Sequence, residues 1–190
     1  MIPELGKLAG LCACALPVWI AVRGVWLLLR RPRPAVKLWR ETAMTVFVVF
    51  MAGVLLMALD GAWDTPVQML ASAAERLHTG DRIHLVPLQT IGAQVQRLPE
   101  IGVVTQLLGN TLLFAPWGFF LPLLWRRFRR IGPMAAMALG LTLLIETTQL
   151  FIDRYVEVDD VLLNFAGAML GAGAWLVLHR RWPGMDELLL

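Results

Sequence analysis

The chain has 190 residues, 58% of them hydrophobic and only 16% charged, with a mean hydropathy of +0.65; this is too apolar for a soluble domain of that length and points to a bilayer as its solvent. Its formal net charge is +3, but the Lys and Arg residues lie in short clusters between apolar runs rather than along one amphipathic face, which argues against a nucleic-acid partner. Cys12 and Cys14 sit within one apolar run and point in different directions on a helix, so they suggest neither a disulfide nor a metal site.

In chain order, five apolar stretches are long enough to cross about 30 Å of hydrocarbon as helices: Leu8–Leu29, Thr42–Leu59, Val103–Trp125, Met134–Ile152 and Val161–His179. The first could be mistaken for a signal peptide, but its basic cluster follows the apolar run and no small-residue cleavage motif closes it, so it is expected to be a retained span. Between the first two spans lie Arg30, Arg31, Arg33, Lys37 and Arg40; between the third and fourth lie Arg126, Arg127, Arg129 and Arg130; Arg180 and Arg181 follow the fifth. Eleven of the 17 basic residues thus gather on one side, and the positive-inside rule predicts that side to be cytoplasmic. The N-terminus is then outside and the C-terminus inside, as in a multi-pass protein of a bacterial inner membrane. Arg23, alone among the basic residues in lying within a span, is near enough to its basic end to snorkel toward headgroups. The opposite side is mildly acidic.

The long segment from Asp60 to Gly102 falls on that acidic side. Within it, Pro66–Leu77 sets Val67, Leu70, Ala71, Ala74 and Leu77 on one helical stripe, with Ser72, Glu75 and Arg76 facing away, the pattern of a helix lying in the interface. Ile83–Ile91 is apolar, broken by Pro87 and too short to span, which predicts a re-entrant or interfacial segment. No repeat or linker divides the chain. The expected fold is all-α: one domain, residues 1–190, formed by a membrane bundle of about five transmembrane helices with one interfacial helix.

Polar side chains are few in the spans, and those present converge near the acidic ends of the last three. The third span carries Asn110, followed by Pro116, Gly118 and Pro122, which weaken its backbone ladder. The fourth carries Glu146, Gln149 and Asp153 at spacings of three and four, on one face. An acid at the centre of a span costs about 2.5–3.5 kcal/mol even on a lenient scale, so Glu146 is expected to face protein or water and to have a partner. In the fifth, Asp160, Asn164, Gly167 and Gly171 fall within about 40 degrees of one line. The Gly167–Gly171 pair is a small-xxx-small surface for close helix packing, which would bring Asn164 toward Glu146 or Asn110. Arg154 can pair with Asp159 or Asp160, or grip a phosphate or carboxylate.

With these residues in view, the chain resembles the VanZ-like family of small bacterial membrane proteins. The resemblance covers about residues 82–171 and rests on His84-Leu-Val-Pro87-Leu88, Gly109-Asn110-x3-Phe114-x-Pro116-x-Gly118-x3-Pro122, Glu146-x2-Gln149-x4-Arg154, and Asp160-x3-Asn164-x2-Gly167-x3-Gly171. The family's first element reads Asn-Leu-Ile-Pro-Phe, so His84 and Leu88 depart from it. The resemblance implies a link to resistance to the glycopeptide teicoplanin.

The leading functional expectation is an envelope protein whose outward polar pocket binds an amphiphile: a membrane lipid, a lipid-linked cell-wall precursor or a lipoglycopeptide. Asn110, Glu146, Gln149 and Asn164 would form its floor, with Arg154 and Asp160 at the rim. A catalytic alternative makes Glu146 a buried base and Asp160 an acid acting on a lipid headgroup. It is disfavoured, because no serine triad and no H-E-x-x-H is present, and no cofactor or metal is implied. A third reading is lipid transport or scrambling through a groove between the kinked third and glycine-lined fifth spans, which a homo-oligomer would complete.

Overall fold

Apolar runs in a bilayer must satisfy their backbone groups internally, and a helix does so within one segment. A computed structural model of the protein, describing residues 2–29, 37–61, 64–96, 101–182 and 184, contains seven helices among those residues: α1 (Ile2–Leu29), α2 (Leu38–Ala58), α3 (Pro66–Thr79), α4 (Gln89–Val95), α5 (Ile101–Leu124), α6 (Ile131–Phe151) and α7 (Val158–Arg181). Of these, α1, α2, α5, α6 and α7 are long and apolar enough to cross a membrane, each within a few residues of the predicted span. Arg30, Arg31 and Arg33 of the first basic cluster lie outside the described residues.

The most extensive interface joins α5 to α7, and backbone contact makes it so. A Cβ on Gly167 would fall on the Thr111 carbonyl oxygen, one on Gly171 on that of Ala115, and one on Gly118 on that of Ala168. The matched steps 111 to 115 and 167 to 171 show that the two helices run parallel. Such proximity is open only to glycine, as small-xxx-small packing requires. The apolar core, including Phe47, Val54, Phe114, Leu124, Met134 and Ile145, fills the space among α2, α5 and α6.

The first helix packs on α2. Cys12 seats over Gly53, where an added Cβ would lie 2.6 Å from its Sγ, and Trp19 Nε1 donates to Thr45 Oγ1 at 3.1 Å. Arg23 does more than reach for headgroups. Its Nε and Nη2 donate to the two carboxylate oxygens of Glu41 at 2.9 and 2.7 Å, and its guanidinium lies 4.3 Å from the Trp26 ring centroid. The antiparallel α1–α2 pair places the end of one helix beside the start of the other, so Arg23 meets an acid inside the protein.

At the acidic end, α3 begins with a capping box: Gln68 N–H donates to Thr65 Oγ1 while the Gln68 side chain receives the Thr65 N–H. This satisfies helix-start donors that would otherwise be orphaned. Val67, Leu70 and Leu77 are exposed, 61–76%, whereas Ala73 and Arg76 are buried against the body. The apolar stripe thus faces outward, while Arg76, expected to face away from the body, instead docks on the end of α6 and Glu75 stays exposed. The apolar segment after α3 forms a two-residue strand, β1 (Ile83–His84), paired in parallel with β2 (Val156–Glu157), and then turns into α4.

Candidate functional site

The polar residues gather where α5, α6, α7 and the β1–α4 segment meet. Glu146, one and a half turns before the end of α6, is 5% exposed. Its Oε2 accepts from the Glu157 N–H at 3.0 Å, and Asp160, Glu157 and Arg154 stand within electrostatic reach of it. Asn110 on α5 donates through Nδ2 to Asp160 Oδ1 at 2.7 Å. The partner of Asp160 is therefore Asn110 rather than Arg154, whose Nη1 donates instead to the Asp60 carbonyl at 3.2 Å. Gln149 donates to the Ala58 carbonyl at 2.9 Å, tying the end of α6 to the end of α2.

Asn164 is 6% exposed, one turn below Asp160 and one turn above Gly167, so it lies in the α5–α7 seam. It bonds neither Glu146 nor Asn110 in the described contacts. Its Oδ1 is buried without a hydrogen-bond partner. A buried acceptor left unsatisfied costs about 1–3 kcal/mol.

Asp153 does not share a face with Glu146 and Gln149. The helix has ended at Phe151, Asp153 takes φ 60°, and its carboxylate turns to Arg76 and to Arg82 Nη1, the latter at 2.8 Å. Arg76 also donates to the Leu150 carbonyl at 3.1 Å, which anchors α3 to the end of α6. The ion pair with Asp153 raises the Arg82 pKa above its ordinary value. On the neighbouring surface Lys7 bonds Asp60 and holds that carboxyl below the usual carboxylate range.

Asp159 is the residue that sequence reasoning undervalued. Read as one of two possible salt-bridge partners for Arg154, it is 1% exposed, and its two oxygens accept from the Leu88 and Ile91 N–H groups at 2.6 and 2.9 Å. It thereby clamps the His84–Leu88 element onto the start of α7, with Leu88 in the left-handed region at φ 64°. His84 Nδ1 lies 3.4 Å from Glu157 Oε1, so that element and the Glu146-bound strand form one unit. The Asp159-Asp160 doublet held the signal: neighbouring helical residues point about 100 degrees apart, so the two acids had to serve different partners.

Trp175 serves packing: it is 5% exposed, stacked on His179 with Arg129 5.3 Å from its ring centroid. Comparison with known proteins bears on the whole arrangement. The model of the VanZ/LLP1 family matches residues 44–179, which takes in every residue of this cluster except Lys7. Neither curated proteins nor solved structures gave a match. The chain belongs to the VanZ/LLP1 family.

Proposed function

We propose that this VanZ/LLP1 membrane protein uses the polar end of its bundle, facing away from the cytoplasm of a bacterial inner membrane, to bind the headgroup of an amphiphile, a lipid-linked cell-wall precursor or a lipoglycopeptide, and so contributes to teicoplanin-type resistance. The observation that carries the reading is the buried, unpartnered Oδ1 of Asn164, set in the α5–α7 seam one turn from Asp160, which Asn110 bonds. A hydroxyl or amide N–H of a ligand satisfies that acceptor and recovers its cost. Arg154, exposed and within electrostatic reach of Asp160, is placed at the rim to meet a phosphate or carboxylate. Gln149 contributes by holding α6 against α2.

Polar groups at membrane depth are expensive and for that reason mark sites more often than similar groups in water. In a resistance assay with teicoplanin, Glu146→Gln and Arg154→Ala are expected to abolish protection while expression and membrane insertion persist, because Gln retains an acceptor for the Glu157 N–H and Arg154 bonds only a loop carbonyl. Wild-type protection in both variants contradicts the reading.

A further inference from the structure

At the opposite, basic end of the bundle lies a second feature with no part in that site. An open surface groove of about 550 Å³ runs along one face of α6, beside Trp117 of α5 and the Arg127–Phe128 turn. Trp117, Arg127, Phe128, Gly132, Gly140 and Leu144 are among its lining residues. Nothing among the described residues lies within 4 Å of a Cβ built on Gly132 or Gly140, so no described helix packs on α6 there. From Gly132 to Leu144 the helix rises about 18 Å, close to the roughly 15 Å depth of one leaflet's hydrocarbon.

We infer that this groove holds an acyl chain of an anionic phospholipid from the leaflet on the basic side, with its headgroup phosphate on Arg127. Charge selects this occupant. Arg127 lines the groove and its sequence neighbours Arg126 and Arg130 are exposed as well, and an anionic headgroup gains attraction from each basic residue near it. A second copy of the chain is the rival occupant, since small residues on an open helix face also suit helix pairing. In a two-fold dimer with its axis along the membrane normal, however, the same patch meets itself. Arg127 would then face the Arg127 of its symmetry mate, and like charges oppose that contact.

The test uses the full chain in phosphatidylcholine vesicles carrying phosphatidylglycerol or phosphatidylcholine with brominated acyl chains, which quench nearby tryptophan. The Trp117 signal is the difference from Trp117→Phe. Brominated phosphatidylglycerol is expected to quench Trp117 at lower mole fraction than brominated phosphatidylcholine. Arg127→Gln should cut that preference about five-fold and Arg127→Lys should keep it, each in protein with wild-type helical content. Gly140→Leu, adding bulk to the groove lining, should reduce quenching by both lipids. Equal quenching by the two lipids, or an Arg127→Gln preference equal to wild type, overturns the inference. So does efficient disulfide dimerisation of Gly140→Cys in a background with Cys12 and Cys14 replaced by serine, which assigns the groove to a second copy.

Discussion

Asp159 and Asn164 occupy the same helix, less than two turns apart, and illustrate opposite uses of a buried polar group. Asp159 has both oxygens engaged by backbone N–H groups; removing it orphans two donors at about 1–3 kcal/mol each. Asp159→Ala should therefore lower thermal stability in detergent markedly and increase proteolysis near Leu85–Leu88, while Asp159→Asn, which keeps one acceptor oxygen, should be milder. Equal stability of wild type and Asp159→Ala would mean the clamp is unimportant. For Asn164, with its unpartnered oxygen, the expectation reverses. Asn164→Leu relieves an unsatisfied acceptor at similar volume, so melting temperature should hold or rise while amphiphile binding is lost. A fall in both would reduce Asn164 to a structural residue. The exposed Lys7–Asp60 pair tests electrostatics with a defined sign. The hydrogen bond from Lys7 holds the Asp60 carboxyl below its ordinary pKa, so the pair's contribution is fully present above that ordinary value and is lost as pH falls through the lower, folded value. Asp60→Asn should thus alter stability by the same small amount at pH 6 and pH 8, as exposed pairs do.

Between elements, the decisive contacts are those of backbone on backbone. Gly167→Ala places a methyl group on the Thr111 carbonyl and should cost about 1–3 kcal/mol through forced separation of α5 and α7. Gly173→Ala, on the same helix with nothing within 4 Å of the added Cβ, should be neutral or slightly stabilising. Thermal unfolding of the two variants side by side tells packing from helix propensity; equal effects would contradict the seam. The glycine pair and the five spans were legible because period and length carry them directly in sequence. Arg76 was not. On the helical wheel it faces away from the apolar stripe, which is indistinguishable from facing water until Asp153 and the Leu150 carbonyl are found opposite it. Asp153 was misplaced for a related reason: i,i+4 spacing holds only while the helix lasts, and α6 stops at Phe151. Pairings over 50 or more residues, such as Asn110 with Asp160, depend on helix rotation about the seam, which periodicity alone does not set.

At the scale of the whole molecule, one end of the bundle is polar and locked, with β1, β2, α3 and α4 tied to α6 and α7, and the other is basic with an open apolar groove. The polar set Asn110, Glu146, Gln149, Asp160 and Asn164 is assembled by helices from the second half of the chain, while α1 and α2 supply packing, and the Ala58 carbonyl at the end of α2 and the Asp60 carbonyl just after it receive Gln149 and Arg154. The family match, residues 44–179, begins inside α2 and takes in the whole of this polar set. The central claim, that the polar end binds a lipid-linked headgroup, is tested most directly by titrating a polyprenyl-diphosphate-linked disaccharide-pentapeptide into the full protein in nanodiscs and following the bound complex by native mass spectrometry. Saturable binding to wild type, lost in Glu146→Gln and in Asn164→Leu at unchanged fold, is the predicted result. Binding to wild type that is no greater than binding to those two variants contradicts it.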